Sequence, residues 1–220
     1  MEHIYHDLDL SRLRRPRRKG RGPLGKPRGQ ARILSDTDLV RLEQHIATAS
    51  NAPHSNRLKV YLTIYAGLRV GEVCQMLVAD LLQKDGSISP FVRVRARIAK
   101  GNRERVIPMH PKIRAALVEF IKHHPNVPYI AFSHRGAKPK QQSLTALTNY
   151  LSDLYQKASL FGCSSHTGRR TFITNLARNA NGTDFSLRDV QRLAGHARLD
   201  TTEKYIGLGE NLANFVGSLK

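Results

Sequence analysis

The sequence contains no tryptophan, only two cysteines, and 17 acidic residues against 36 Lys and Arg. Cys74 and Cys163 are too few for a disulfide framework, which suits a reducing compartment. Aromatic residues make up 6% of the chain and offer little stacking platform for single-stranded nucleic acid. This composition therefore argues against an RNA-associated structural protein.

Long apolar segments are also missing. The largest run, from Val60 to Leu68, is far shorter than the roughly 18 residues that a membrane span needs. The N-terminus carries Glu2, Asp7 and Asp9 and has no apolar stretch, so no secretory signal is predicted. The sequence therefore predicts a cytoplasmic protein with no membrane partner.

A formal charge of +19 is typical of a protein that binds a polyanion, and nucleic acid is the first candidate. The segment from Ser11 to Arg32 holds ten basic residues and no acid, interspersed with glycines and prolines. Such a segment buries too little to offset its ordering entropy, so residues 1–34 are predicted to be a disordered basic arm. The arm either contacts DNA phosphates or is a solvated tail that aids solubility. Its predicted DNA contacts are Arg12, Arg14, Arg15, Arg17, Arg18, Lys19 and Arg21.

Helical periodicity dominates residues 35–220, which we predict to be one catalytic domain. Capping boxes are predicted at Ser35 and at Ser186, each with an aspartate three residues later. Further helices are predicted over 56–68, 71–78, from Pro111, from Ser143, over 166–178 and over 201–206. A last amphipathic helix, about 209–219, either packs on its own domain or docks on a neighbouring protomer.

One stretch has the period of a strand. Residues 91–98 alternate apolar and basic side chains, which predicts a half-buried strand with Arg93, Arg95 and Arg97 on its outer face. A turn at Lys100 would return the chain as a paired strand over 105–108. The predicted fold class is therefore mainly α with a small antiparallel β-sheet (α+β).

Five short motifs follow one another along this domain. They are Gly-Leu-Arg69-x-x-Glu72, the turn lysine Lys100, His166-x-x-Arg169, Gly-His196 and Tyr205. Each motif alone is a weak signal. In this combination and order they resemble the tyrosine recombinases, the phage-integrase type of site-specific recombinase, from about residue 35 to 206.

The resemblance implies a tyrosine-recombinase catalytic fold and a reaction that needs neither metal nor ATP. Tyr205 would attack a DNA phosphodiester, hold the 3′ phosphate covalently and release a 5′ hydroxyl, which then attacks a partner phosphotyrosine. Arg69 and Arg169 would grip the phosphate, because each planar guanidinium can bind two oxygens and never loses its charge. Lys100 would protonate the leaving oxygen.

The resemblance also implies roles for three further residues. His166 would act as the base that helps Tyr205, His196 would donate a hydrogen bond in the transition state, and Glu72 would brace an arginine or histidine of the site. Arg170, next to the catalytic arginine, is predicted to contact the DNA backbone.

Simpler roles stay open for these residues taken one at a time. Arg69 could satisfy carbonyl groups at a helix end, Lys100 could be a solvated turn residue, and Tyr205 could be a packing residue. Cys163 and His166 have the spacing of half a zinc site, but no second pair accompanies them, so no metal site is predicted.

The sequence departs from the family pattern in two places. Gly168 stands where an apolar leucine is common, and it is expected to weaken helix packing. No counterpart of the helical N-terminal domain of roughly a hundred residues that most members carry is expected here. We therefore expect a short form in which the basic arm substitutes for that domain.

The predicted partners are double-stranded DNA and further copies of the chain, as a tetramer on synapsed sites. Accessory DNA-bending proteins are possible partners, no cofactor is predicted, and nucleoid association would follow from DNA binding. The competing hypothesis is a non-catalytic architectural or regulatory DNA-binding protein on the same fold. A type IB topoisomerase would share the chemistry but need no partner site.

Overall fold

The computed structural model describes residues 31–133, 139–180, 186–196, 198 and 200–203. Three predictions lie outside these residues: the arm before residue 31, Tyr205 and the segment 209–219. The helices are α1 (Asp36–Ala49), α2 (Pro53–Tyr65), α3 (Val70–Gln75), α4 (Pro111–His123), α5 (Leu144–Lys157), α6 (Thr167–Ala180), α7 (Leu187–Ala194) and α8 (Asp200–Glu203). The strands are β1 (Phe91–Val94), β2 (Arg105–Pro108), β3 (Phe132–Ser133) and β4 (Lys140–Gln141).

Both predicted capping boxes are confirmed. The Ser35 hydroxyl accepts from the backbone N–H of Asp38, and the Asp38 carboxylate accepts from the backbone N–H of Ser35. Ser186 and Asp189 repeat this exchange at the start of α7. Each pair satisfies backbone donors that a helix start would otherwise leave unpaired.

Residues 31–34 lie against the domain, so the folded part begins at least four residues before the predicted boundary at residue 35. The backbone N–H of Leu34 donates to the Thr171 hydroxyl at 3.0 Å. The Arg32 guanidinium binds both oxygens of Asp38, at 2.8 and 2.7 Å. Arg32, counted with the arm in the sequence, thus forms an ion pair within the folded domain.

Helix α2 is the central element, and it packs against α1, α4 and α6. It is buried along most of its length, from Ser55 to Ile64. Gly168 of α6 sits directly on it: a Cβ there would collide with the Thr63 hydroxyl and lie 2.9 Å from Thr63 Cβ. The expectation that Gly168 weakens packing is therefore wrong, because the missing side chain lets α6 approach α2 closely.

Strands β1 and β2 form the predicted hairpin, with Val92 opposite Ile107 and Val94 opposite Arg105. The first strand is shorter than predicted. It ends at Val94, and a 3₁₀ turn over Ala96–Ile98 follows, so only Arg93 lies on the outer face of the strand, and Arg97 is exposed on the turn instead.

Other differences concern short elements. A second two-stranded sheet pairs β3 with β4, and it was not predicted because two-residue strands carry no periodic signal. Helix α2 begins at Pro53, three residues early, and ends before Gly67, whose φ is +61°. Helix α3 stops at Gln75, and a separate 3₁₀ turn covers Val78–Leu81.

No helix among the described residues meets the length and hydropathy that a bilayer crossing requires.

Candidate active site

Arg69 and Glu72 lie at the start of α3 and share a buried carboxylate with Arg105 of β2. Glu72 is 1% exposed. Its Oε2 accepts from the backbone N–H of Arg69 at 2.8 Å, and its Oε1 lies 3.1 Å from Arg69 Nη1. Arg105 binds the other sides of the same oxygens, Nη1 to Oε1 at 3.0 Å and Nη2 to Oε2 at 2.7 Å.

The charge state of this cluster follows from its contacts. Burial disfavours the ionised carboxylate, but the hydrogen bonds and charge of Arg105, together with Arg69, hold the pKa of Glu72 below its usual value. The carboxylate therefore stays negative at neutral pH. It binds both the backbone N–H and the guanidinium of Arg69, whose side chain is 24% exposed.

Arg169 lies on α6 and is 6% exposed. Its guanidinium donates to two backbone carbonyls, that of Gly67 before α3 and that of Ala194 at the end of α7, the latter at 2.7 Å. One planar fork therefore joins the segment that carries Arg69 to the segment that carries His196.

His196 follows the αL residue Gly195, which ends α7. The His196 ring is buried, and its Nδ1 lies 2.9 Å from the Thr202 hydroxyl. Burial, followed by the charges of Arg169, Arg69 and Arg105, lowers the pKa of His196 to about 4. The ring is therefore neutral at pH 7, with one nitrogen protonated and the other free of a proton.

Lys100 lies where the sequence predicted, on the exposed turn between β1 and β2. The turn places Gly101 and Asn102 at φ of +85° and +54°, and the Asn102 N–H donates to the Ala99 carbonyl at 3.1 Å. A groove of about 950 Å³ runs from this turn to α7. Its walls include Lys100, Arg103, Arg105, Arg188, Arg192 and His196.

Two predicted site residues are not joined to this cluster. His166 is exposed at the residue before α6, and among the described residues no hydrogen bond or ion pair links its ring to Arg69, Arg169 or His196. Tyr205 lies outside the described residues, two positions beyond the end of α8.

The predicted DNA-contact residues of the body differ in their surroundings. Arg93 is exposed and pairs with Glu104, whereas Arg95 turns inward to an ion pair with Asp80, Nε to Oδ1 at 2.6 Å. Arg97 is exposed beside a second groove. Arg170 donates to the Ala31 carbonyl at 2.8 Å. Arg93 and Arg97 thus keep exposed guanidinium groups, Arg93 within a solvent-exposed ion pair, whereas the ion pair of Arg95 is largely shielded from solvent.

Sequence reasoning missed Arg105 and Thr202. Arg105 is separated by two positions from buried Ile107, so a strand period places both side chains on the covered face of the hairpin. A basic residue at a core-facing strand position was the available signal. Thr202 carried none, because its contact with His196 depends on how α8 packs on α7.

One cluster in the described residues has metal-ligand side chains. Ligand atoms of His54, Glu119 and His123 lie within 4.8 Å of one another. The two imidazole rings stack, with centroids 3.6 Å apart and planes inclined by 12°, and His123 Nδ1 hydrogen-bonds the Glu119 carbonyl. Parallel rings do not direct their lone pairs at one point, so the arrangement fits stacking of α2 on α4 better than coordination.

Comparison with known proteins agrees with this architecture. The sequence profile of the phage integrase family matches residues 32–211. The chain is 27% identical over 199 residues to tyrosine recombinase XerD of Rickettsia prowazekii, covering 86% of this chain and 63% of that protein. It is 28% identical over 151 residues to tyrosine recombinase XerA of Pyrococcus furiosus, covering 68% and 49%. The chain spans about half to two thirds of the length of these relatives.

Solved structures show the same fold. The crystal structure of a XerA recombinase superposes with a TM-score of 0.64 at 23% identity, over 84% of this chain and 62% of that one. A XerH site-specific recombinase, bound to a palindromic difH substrate in a post-cleavage complex, gives 0.65 at 18% identity, over 87% and 54%. With its mainly helical body and small antiparallel sheets, the chain has the tyrosine-recombinase catalytic fold and belongs to the phage integrase family.

Proposed function

We propose that the protein is a site-specific DNA recombinase that cuts and rejoins DNA through a covalent 3′-phosphotyrosine intermediate. The observation that carries this proposal is the cluster of Arg69, Arg169 and His196: the charges of both arginines help to lower the pKa of His196, and His196 lines the same basic groove as Lys100. Arg169 donates to the carbonyls of Gly67 and Ala194, which lie two positions from Arg69 and from His196, and the Glu72 carboxylate holds Arg69. A module that only binds DNA has no need of this arrangement.

The two arginines suit a phosphate in a phosphoryl-transfer transition state. Their charge persists at any working pH, and a preorganised guanidinium costs no rearrangement when charge develops on the non-bridging oxygens. Glu72 holds Arg69, and two backbone carbonyls hold Arg169, so both groups are positioned before DNA binds.

The proposed first step is an in-line displacement at phosphorus. The hydroxyl oxygen of Tyr205 forms the new P–O bond while the bond to the 5′ oxygen breaks. His166 takes the tyrosine proton, and Lys100 gives a proton to the departing 5′ oxygen. Neutral His196 can donate a hydrogen bond to a phosphate oxygen through the ring nitrogen that does not contact Thr202.

The second step reverses the first with a different strand. A 5′ hydroxyl from the partner duplex attacks the phosphotyrosine and releases Tyr205. Because the phosphotyrosine conserves the energy of the original phosphodiester, strand exchange needs no ATP. Synapsis of two sites calls for a homotetramer on double-stranded DNA, and the segment 209–219 is the proposed element that docks in trans.

The test is a search for a covalent adduct. The protein is incubated with a pool of nicked duplexes of randomised central sequence, so that cleavage releases a short fragment and traps the intermediate. We expect an adduct that survives denaturation, and sequencing of the trapped DNA identifies the site. Tyr205→Phe should abolish the adduct and Arg169→Lys should reduce it strongly, whereas Tyr129→Phe, which removes a hydroxyl elsewhere, should leave it unchanged.

The outcome also separates the alternatives. Specific binding without any adduct from the wild-type protein would favour the architectural DNA-binding protein. Relaxation of supercoiled plasmid with no requirement for a partner site would favour topoisomerase-like activity. An adduct that persists in Tyr205→Phe would show that another residue is the nucleophile.

A further inference from the structure

We propose that Arg105 is a positioning residue of this site, which fixes the carboxylate of Glu72 and couples the Lys100 hairpin to Arg69 and to the Gly195–His196 turn. The inference rests on the proposed function and adds to it a residue outside the six assigned to the chemistry. Arg105 is the first residue of β2, five positions after Lys100.

The contact with Glu72 has the geometry of a specific interaction. Arg105 binds both carboxylate oxygens with two nitrogens, at 3.0 and 2.7 Å, and its side chain is 8% exposed. Bidentate pairing of a planar fork with a carboxylate fixes both groups in orientation as well as distance. Since Glu72 also binds Arg69 through its side chain and its backbone N–H, Arg105 determines where Arg69 stands.

Arg105 also contacts the turn that carries His196. A Cβ on Gly195 would lie 3.1 Å from Arg105 Cδ and 3.2 Å from its Nη1, so the arginine packs directly on this glycine. Gly195 has a φ of +63°, a conformation that other residues adopt only with strain. The glycine therefore serves two purposes, ending α7 and admitting the Arg105 side chain.

These contacts give the hairpin a rigid connection to the rest of the site. The turn carrying Lys100 is exposed, and β2 leads from it to Arg105. Movement of the hairpin toward or away from DNA is therefore transmitted to Glu72 and Gly195. A lysine at position 105 could keep the charge but only part of this geometry, because its single ammonium cannot span both oxygens in the plane of the carboxylate.

The experiment compares Arg105→Met, Glu72→Gln and the double variant in single-turnover adduct formation on the selected nicked duplex. We expect Arg105→Met to slow adduct formation about tenfold to a hundredfold, the cost typical of slightly misplaced catalytic groups. Binding of the duplex should keep the wild-type salt slope, because a positioning residue neutralises no phosphate. Lys112→Met, which removes a cation from an exposed ion pair with Glu43, is the matched control and should match wild type.

The double variant identifies the route of the effect. If Arg105 acts through Glu72, the rate lost in the double variant should not exceed that of the more damaging single change. Multiplied losses, or a salt slope reduced by about one in Arg105→Met, would overturn the proposal in favour of direct phosphate contact. Should Arg105→Met fail to fold, Arg105→Lys replaces it, with the same slowed rate and unchanged salt slope expected.

The controls keep this inference separable from the proposed function. An active wild-type protein with an equally active, folded Arg105→Met variant would overturn the positioning role alone. A wild-type protein that forms no adduct on any duplex would overturn the proposed function and this inference with it.

Discussion

The Nδ1 atom of His196 lies 2.9 Å from the hydroxyl of Thr202, and both side chains are buried. This contact joins the end of α7 to α8, the last element described before Tyr205. The Thr202 hydroxyl therefore orients the His196 ring that the proposed mechanism uses as a donor. When this hydroxyl donates its proton to Nδ1, the proton of the neutral ring lies on the other nitrogen.

Acid should destabilise the protein through His196. Its pKa is about 4 in the folded state and near 6.5 when unfolded, so the unfolded chain binds more protons between these values. The part of the free energy of unfolding that depends on neutral His196 is therefore fully present above pH 6.5 and is lost as pH falls toward 4. From pH 7 to 5 we expect His196 to account for about 2 kcal/mol of the lost free energy of unfolding. Urea unfolding at both pH values should show a smaller decline for His196→Gln; an equal decline would contradict the prediction.

Removing the Glu72 carboxylate should be costly. Glu72→Ala leaves Arg69 and Arg105 without their shared counter-charge in a buried site, so we expect the free energy of unfolding to fall by about 3–5 kcal/mol. Glu104→Ala is the control, since it breaks the exposed pair with Arg93 and should cost less than about 1 kcal/mol. Urea denaturation measures both losses. Similar values in the two variants would show that the buried Glu72 carboxylate contributes no more to stability than an exposed ion pair.

Gly168 should not tolerate a methyl group. In Gly168→Ala the new Cβ would press on Thr63 of α2, and we expect a loss of about 1–3 kcal/mol as the helices separate. Gly71→Ala is the matched control within α3, because its Cβ would meet only Leu144 Cδ1 at 3.9 Å. That change should be neutral or stabilise by up to about 1 kcal/mol, as alanine favours a helix. Thermal melting of both variants checks the contrast.

Lys59 should be replaceable with a gain in stability. It is 3% exposed, and burial lowers its pKa to about 8. The Lys59 Nζ atom lies over the face of the Tyr150 ring, 4.8 Å from the centroid, and this cation–π contact offsets part of the free-energy cost of burying the charge. We expect Lys59→Met to raise the free energy of unfolding at pH 7 by about 1–3 kcal/mol.

The pH dependence of this gain provides its check. Because the folded pKa of Lys59 lies below the unfolded value of 10.5, wild-type stability should rise between pH 8 and 10.5 as the buried amine loses its proton. The advantage of Lys59→Met should therefore shrink at pH 9.5. A constant advantage would mean that packing rather than charge burial is responsible.

Deletion of residues 1–30 should weaken DNA binding. The truncation keeps Arg32, which pairs with Asp38 in the domain, and removes the basic segment that precedes it. If the segment contacts phosphates, the affinity and the slope of its dependence on salt should both fall. Fluorescence anisotropy with a fixed duplex over a salt series measures both. An unchanged slope would leave the segment with no role in phosphate contact.

Local chemistry explains why much of the fold was predictable. The capping boxes at Ser35 and Ser186, Pro111 at a first helical position and the hairpin turn at Lys100 depend on neighbours within a few residues. The outcome at Arg95 did not. The alternating pattern predicted Arg95 on the outer face of the strand. In the structure the strand ends before it, and Arg95 forms an ion pair with Asp80, which lies fifteen positions away in sequence.

The sequence by itself determined the order of the motifs, the mainly helical class and the excess of basic residues, because composition and short-range periodicity are properties of the chain. Only the tertiary structure decided that Glu72 serves two arginines, that Arg169 joins Gly67 to Ala194, and that His196 is neutral. The reason is physical: hydrogen-bond partners, desolvation and the fields of nearby charges depend on distances in space, and the chain sets these only when its helices pack.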